Sequence, residues 1–181
     1  MDPLTGDGVR LRDFRPADLD DLFAITGDDR VTSWMSFDSH TRDDARRLLD
    51  GCLAAATVEP RTTYGLAITR LDDDRVIGFA RLATSGVQAA KLGYMIAADH
   101  WGHGYATDAA RTLLRFAFGP LALHRVTAAI GPENSASIAV VKRLGFSYEG
   151  HLRDHVYTNG AWRDSLLFSL LNSETAALAP R

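Results

Sequence analysis

Asp99-His100-Trp101-Gly102-His103-Gly104-Tyr105-Ala106-Thr107-Asp108-Ala109 sets two glycines, one residue apart, between a strand and a helix. The helix is read from spacing. Ala106, Ala109, Ala110, Leu113, Leu114 and Ala117 fall at i, i+3, i+4, i+7, i+8 and i+11, one apolar face at a 3.6-residue period. Upstream, residues 91–97 (Lys-Leu-Gly-Tyr-Met-Ile-Ala) read as a strand. Strand, glycine turn and helix together suit an anion site; the alternative is a glycine turn that only joins a strand to a helix. The first turn of a helix carries unpaired N–H groups and the positive end of its dipole. Glycine admits a ligand close to the backbone where a Cβ would intrude, and phosphate or pyrophosphate is what such a site takes. Two familiar phosphate loops are excluded. A dinucleotide fingerprint needs Gly or Ala at position 107, which is Thr, and no Gly-Lys-Ser/Thr run is present.

Outward from this stretch the pattern alternates between strand and helix signals. Residues 9–14 alternate as a first strand, and Pro16 opens a helix with Leu19, Leu22 and Phe23 inward. A loop carrying Val31, Trp34, Met35 and Phe37 follows. Thr41 then caps a helix, with Asp44 three residues on, and Ala45, Leu48, Leu49, Cys52 and Leu53 form its apolar face. Runs at 63–69, 75–82 and 91–97 predict an antiparallel meander, turning at Asp72-Asp73-Asp74 and at Ser85-Gly86. After the long helix come a strand at 124–130 and a short helix at 135–144. Asn134 or Ser135 caps that helix, Lys142 and Arg143 suit its negative end, and Gly145 stops it. Strands at 147–152 and 163–171, joined at Thr158-Asn159-Gly160, complete the chain. The expectation is one α/β (α+β) domain, a mixed and mostly antiparallel sheet with helices on both faces, with a core over about 8–172 and a short tail at 173–181 that frays over 176–181.

Composition narrows the function classes. The chain has 181 residues, enough for one sizeable core, and 46% of them are hydrophobic. A net charge of −3 argues against nucleic acid or an anionic membrane as the partner. Cys52 is the single cysteine, so no internal disulfide forms, and it fits a helix face as a small core residue. No apolar run approaches 18 residues and no basic, apolar leader opens the sequence, so a cytoplasmic location is expected. The histidines show no metal-ligand spacing, so no metal is expected.

A second stretch, Asn134-Ser135-Ala136-Ser137-Ile138-Ala139-Val140-Val141-Lys142-Arg143-Leu144-Gly145-Phe146, lies about 30 residues beyond the glycine loop. Together with Trp101-Gly102-His103-Gly104-Tyr105-Ala106-Thr107 it resembles the GNAT acetyltransferase superfamily. The resemblance is closest to the branch that includes the ribosomal-protein alanine N-acetyltransferases, and the strand–helix order follows it along nearly the whole chain. The resemblance implies acetyl-CoA as cosubstrate, a primary amine as acceptor, and a homodimer as a possible assembly. It maps the pyrophosphate loop onto Trp101, Gly102, His103, Gly104, Tyr105, Ala106 and Thr107. It maps a splayed strand that pairs with the pantetheine arm onto Tyr94, Met95 and Ile96. It also places Asn134 at the pantetheine amides and Arg143 at the CoA phosphates. The chain departs from the superfamily at Asp99, where Gln or Arg is common, and an acidic side chain there has no donor for pyrophosphate.

The chemistry needs a base, because an amine with a pKa near 10 is mostly protonated at pH 7. Glu149, in Tyr148-Glu149-Gly150, is the candidate that the resemblance implies; the alternative is a surface glutamate at a strand start. Ser137 is the candidate for hydrogen bonding to the sulfur or for its protonation, against a plain helix-start serine. Tyr148 is a weaker acid candidate. Trp34, Phe37 and Tyr157 are expected at the acceptor pocket, the first two against packing under a loop and Tyr157 against core or surface placement near the final hairpin. Asp164 is expected to hold structure. The sequence leaves the acceptor open between a peptide or protein N-terminus and a small-molecule amine, and leaves a non-catalytic acyl-CoA-binding module as a further alternative.

Overall fold

Alternation in the strands and the 3.6-residue stripe in the helices place helices on both sides of one sheet. In the computed structural model, which describes residues 1–179, the strands are β1 (Leu4–Thr5), β2 (Val9–Asp13), β3 (Thr63–Arg70), β4 (Val76–Thr84), β5 (Ala89–Ile96), β6 (Arg125–Ile130), β7 (Ser147–Thr158) and β8 (Ala161–Leu171). They pair in the order β1-β2-β3-β4-β5-β6-β8-β7, with β5 and β6 parallel and the other described pairs antiparallel. The helices are α1 (Leu19–Thr26), α2 (Asp29–Thr32), α3 (Arg42–Ala56), α4 (Tyr105–Phe118) and α5 (Ser135–Arg143).

Two apolar layers sandwich the sheet. On one face α4 and α5 pack Leu113, Leu114, Ala117 and Val141 onto Leu11, Leu66, Leu82, Val126 and Leu170. Leu113 and Leu114 are fully buried, and each such side chain contributes about 2 kcal/mol. On the other face α1 and α3 bury Leu22, Ile25 and Leu49 against Ala67, Phe79 and Met95. The expected capping box starts α3: Thr41 Oγ1 accepts from the Asp44 N–H, and the Thr41 N–H donates to Asp44 Oδ2.

Cys52 fills a notch that Gly65 leaves; a Cβ on Gly65 would lie 2.7 Å from its Sγ. Burial pushes the Cys52 thiol up to about 11. The native protein is therefore expected to leave Ellman's reagent unconsumed at pH 7.5, and the urea-unfolded protein to release one equivalent of its chromophore.

Four expectations need correction. A two-residue strand, β1, precedes the first predicted strand and pairs Leu4 with Leu11; two residues are too few to show a period. The segment read as a loop at 31–37 begins as the helix α2, started by Asp28, whose side chain accepts from the Arg30 N–H. The last two strands run on to Thr158 and back from Ala161, closed by Asn159 and Gly160 at φ 50° and 72°. A bulge between Leu152 and Val156 absorbs the polar stretch that ended the predicted strand. The tail is docked as far as it is described. Asn172–Leu178 forms 3-10 turns, Leu178 is buried, and the Arg115 Nε–H donates to the Leu178 carbonyl at 2.7 Å. Residues 180–181 lie outside the described residues.

One ion-pair group crosses the sheet edge. The buried Arg12 guanidinium donates to both oxygens of Asp18, at 2.8 and 3.0 Å, and to Asp74 Oδ1 at 2.9 Å. Hydrogen bonding from Arg12 holds the Asp74 carboxyl below its ordinary value. A carboxyl lowered on folding stabilises above its unfolded pKa and ceases to do so as the pH falls through its folded value. The urea midpoint is therefore expected to decline as the pH drops below about 4.

Candidate active site

The glycine loop ends β5 and starts α4. Gly102 and Gly104 sit at φ +80° and +81°, left-handed conformations that cost an L side chain roughly 1–2 kcal/mol. Neither has an atom within 4 Å of where a Cβ would stand, so conformation and not crowding requires them. Gly104 is the N-cap of α4 and supplies no side-chain cap. The first-turn N–H groups therefore keep their positive field for a ligand. The Trp101 indole N–H donates to the Ile96 carbonyl at 2.8 Å, tying the loop to the end of β5. His103 Nδ1 lies 2.8 Å from the Trp101 carbonyl, and its ring stacks on Tyr105 at 5.5 Å. Asp99 pairs with Arg30 at 3.0 Å.

In front of the loop the sheet opens. β5 and β6 pair at Ala89↔Arg125, Ala90↔Val126 and Lys91↔Thr127, and no further. β5 continues through Tyr94, Met95 and Ile96 while still paired with β4, so that stretch has no strand on its β6 side. Met95 and Ile96 are buried, and Tyr94 is half-buried. The Tyr94 hydroxyl donates to the Ser137 carbonyl at 3.4 Å, bridging β5 to α5. Burial pushes the Tyr94 phenol up to about 12, so it stays protonated.

Asn134 caps α5, its Oδ1 accepting from the Ser137 N–H at 3.0 Å. The cap thus falls to Asn134 and leaves the half-buried Ser137 hydroxyl outside it. At the far end of α5, Arg143 Nη1 donates to Thr107 Oγ1 at 3.3 Å, joining the end of α5 to the first turn of α4. An open cleft of about 420 Å³ lies beside this contact, lined by Asp7, Gly8, His103, Thr107, Arg111 and Arg143.

Glu149 occupies a bulge of β7 between Tyr148 and Gly150. Its carboxylate accepts from both terminal nitrogens of Arg125, one at 2.8 Å, and from the Ser169 hydroxyl at 2.7 Å. Arg125 foremost, then Ser169, hold the Glu149 carboxyl below the usual glutamate range. Arg125 pairs with Ala89 at the closed end of the opening, so Glu149 is anchored at that end and not beside the loop.

The three residues expected at an acceptor pocket separate. Phe37 is half-buried, stacks near His40 at 4.6 Å and packs against the α1–α3 core, as expected of packing under a loop. Trp34 and Tyr157 stay exposed. Tyr157 meets Trp162 edge-on at 5.4 Å. The Trp34–Phe37 loop and the β7–β8 hairpin are nevertheless clamped together: Asp38 Oδ1 accepts from the Thr158 hydroxyl and the Asn159 N–H, and Arg163 donates to the Ser33 carbonyl. Asp164 has the structural role expected of it, accepting from the Asp154 N–H while contacting His151 Nε2 at 2.7 Å.

Sequence reasoning missed Asp108, Arg111, Arg125 and Asp38. Asp108 is buried and takes the N–H groups of Asp7, Gly8 and Val9. Its only sequence signal is the pair Gly6 and Gly8, small residues that let the N-terminal segment lie on α4; a Cβ on Gly6 would stand 2.7 Å from the Asp108 carboxylate. No group of three or more His, Cys, Asp or Glu suited to a metal ion occurs among the described residues. No described helix is long and apolar enough to cross a membrane.

Comparison with known proteins gives consistent matches. A profile of the acetyltransferase (GNAT) domain matches residues 9–147. The N-acetyltransferase p20 of Bacillus licheniformis is 30% identical over 178 residues, 97% of this chain and 99% of that protein. The ribosomal protein uS5-alanine N-acetyltransferase of Escherichia coli is 31% identical over 102 residues, 55% of this chain and 53% of its own length. Mycobacterium smegmatis RimJ in complex with CoA-disulfide superposes with a TM-score of 0.81 at 27% identity, covering 98% of this chain and 94% of that one.

Proposed function

The chain belongs to the GNAT acetyltransferase family, and on that premise we propose that it transfers acetyl from acetyl-CoA to the amine of a protein or peptide N-terminus. The observation that carries this is the parting of β5 from β6 directly before the glycine loop. An extended arm bearing amides finds unpaired backbone there, and phosphates at its other end find the first turn of α4. The residues fit the group: the helix start has no side-chain cap, and Arg143 stands on its rim. Acetyl-CoA, when bound, supplies an acyl group activated as a thioester.

The protein's part divides among named groups. Gly102, Gly104, Tyr105, Ala106 and Thr107 present backbone N–H groups to the phosphates, with Arg143 adding charge. Trp101 and His103 hold the loop in shape. Backbone at Tyr94, Met95 and Ile96 receives the pantetheine arm, and an N–H there stabilises the thioester oxygen as charge develops on it. The Asn134 carboxamide, its oxygen used in the cap, has its NH2 for the arm's carbonyls. Glu149, kept ionised by Arg125, accepts the proton of the incoming ammonium through a water molecule, and the Ser137 hydroxyl donates toward the departing sulfur.

The peptide acceptor is supported by the likeness to a ribosomal-protein alanine N-acetyltransferase. One observation favours a small amine instead: the Asp38 clamp closes the side of the site between the loop and the hairpin. Thiol release from acetyl-CoA separates the two. Short peptides with free N-terminal alanine or serine are expected to react at least tenfold faster, by kcat/KM, than polyamines or aminoglycosides, about 1.4 kcal/mol of discrimination. The reverse order overturns the peptide assignment. Silence across the whole panel points to an acyl-CoA-binding module.

A further inference from the structure

Resting on the acetyl-CoA assignment above, we propose that Arg111 and Arg143 form a second phosphate site beside the glycine loop, that it takes the 3′-phosphate of CoA, and that this phosphate displaces Asp7. The Arg111 side chain is 7% exposed and lines the cleft. Its Nε is buried without a hydrogen-bond partner. The carboxylate facing it, Asp7 Oδ2, is 3.9 Å from Nη1, beyond hydrogen-bond length, and Asp7 is itself mostly exposed. A guanidinium has five donors in a fixed fork, and a buried donor left unmatched opposes folding. The cleft is therefore lined by a largely desolvated cation whose facing carboxylate lies too far to satisfy it.

The other acid in the cleft does not compete for it. Both oxygens of Asp108 are committed to the N–H groups of Asp7, Gly8 and Val9, at 3.1, 2.7 and 3.1 Å. Those bonds fix the Asp7–Gly8 backbone over Arg111 whether or not the Asp7 side chain is engaged. Arg111 follows Gly104 by seven residues, about 10 Å of helix rise, and helical side chains lean back toward the N-terminus. Its guanidinium is thus near the loop without being part of it. Two phosphate sites of different character result. The helix start offers N–H dipoles, suited to a pyrophosphate. The two guanidinium groups offer full charge and paired donors, suited to a phosphate monoester carrying close to two charges at pH 7.

Calorimetric titration of the full chain with CoA and with dephospho-CoA tests this. Wild-type protein is expected to bind CoA at least tenfold more tightly. Arg111→Lys is expected to reduce that preference below about threefold while leaving the dephospho-CoA Kd unchanged. Asp7→Asn removes the competing carboxylate and is expected to tighten CoA several-fold and dephospho-CoA not at all. Should Arg111→Lys fail to fold, the exposed Asp7 position carries the test. Equal wild-type affinity for the two ligands, or variants that weaken both alike, overturns the second phosphate site. Wild-type protein that binds neither ligand overturns the acetyl-CoA assignment itself.

Discussion

Glu149→Gln is expected to lower kcat for acetyl transfer by roughly 100-fold and to leave the Kd for acetyl-CoA unchanged. General-base catalysis contributes about 10²- to 10⁴-fold. The lower end applies here, because Arg125 and Ser169 occupy the carboxylate and hold it below the usual glutamate range. Such a group is ionised at every working pH but accepts a proton weakly. The sign of the pH dependence follows. A base must be unprotonated to act, so activity falls as the pH drops through its pKa, and with Arg125 present that fall lies below the ordinary glutamate value of about 4.3. Arg125→Met releases Glu149 toward that value and is expected to move the acid limb of the kcat profile upward. In Glu149→Gln the same change is expected to leave the limb where it is. A Glu149→Gln enzyme with wild-type kcat assigns the base elsewhere.

Asp108→Ala is expected to cost about 3 kcal/mol and to lower the melting temperature by roughly 6–12 °C. Three backbone N–H groups converge on this carboxylate, and that of Val9 is buried with it. Hydrogen bonds to a charged acceptor are worth about 1.5–3 kcal/mol each. Water can replace the acceptor at the less buried Asp7 and Gly8 but not fully at Val9, which brings the total down. Asp108→Asn is expected to recover only part of the loss, since its NH2 would face N–H groups that also donate. A thermal melt followed by circular dichroism measures both variants. A shift under 2 °C for the alanine variant would mean that the N-terminal segment is held by β1 and β2 pairing alone.

Much of the architecture was legible because it is local. The stripe from Ala106 to Ala117, the Thr41–Asp44 box, the Asn134 cap and the Asn159-Gly160 turn each lie within a dozen residues and obey one period or one backbone conformation. The glycine loop belonged to the same class. What stayed hidden is non-local. The α4 stripe marks one buried face, yet Thr107, Asp108, Arg111 and Thr112, off that stripe, are also buried. Their cover comes from a segment about a hundred residues earlier and from α5. Arg125 could not be matched to Glu149 from sequence because β8 enters the sheet between their strands, setting Ser169 where it bonds the same carboxylate. Phe37 stayed open between the acceptor pocket and packing under a loop because nothing local reveals that α1 and α3 extend their core beneath it.

The Asp108 anchor also orders the molecule in time. Gly8 and its acceptor are 100 residues apart, and synthesis at about 5–20 residues per second separates them by roughly 5–20 seconds. Through that interval β1 and β2 are a hairpin waiting for its floor. β6 likewise gains its second neighbour only when β8 is made, after β7 has already passed. The layer under α1 and α3 is complete in sequence by Ala98, whereas the layer under α4 and α5 draws on Phe168 and Leu170 and leaves β6 with an open edge until the last strand is made.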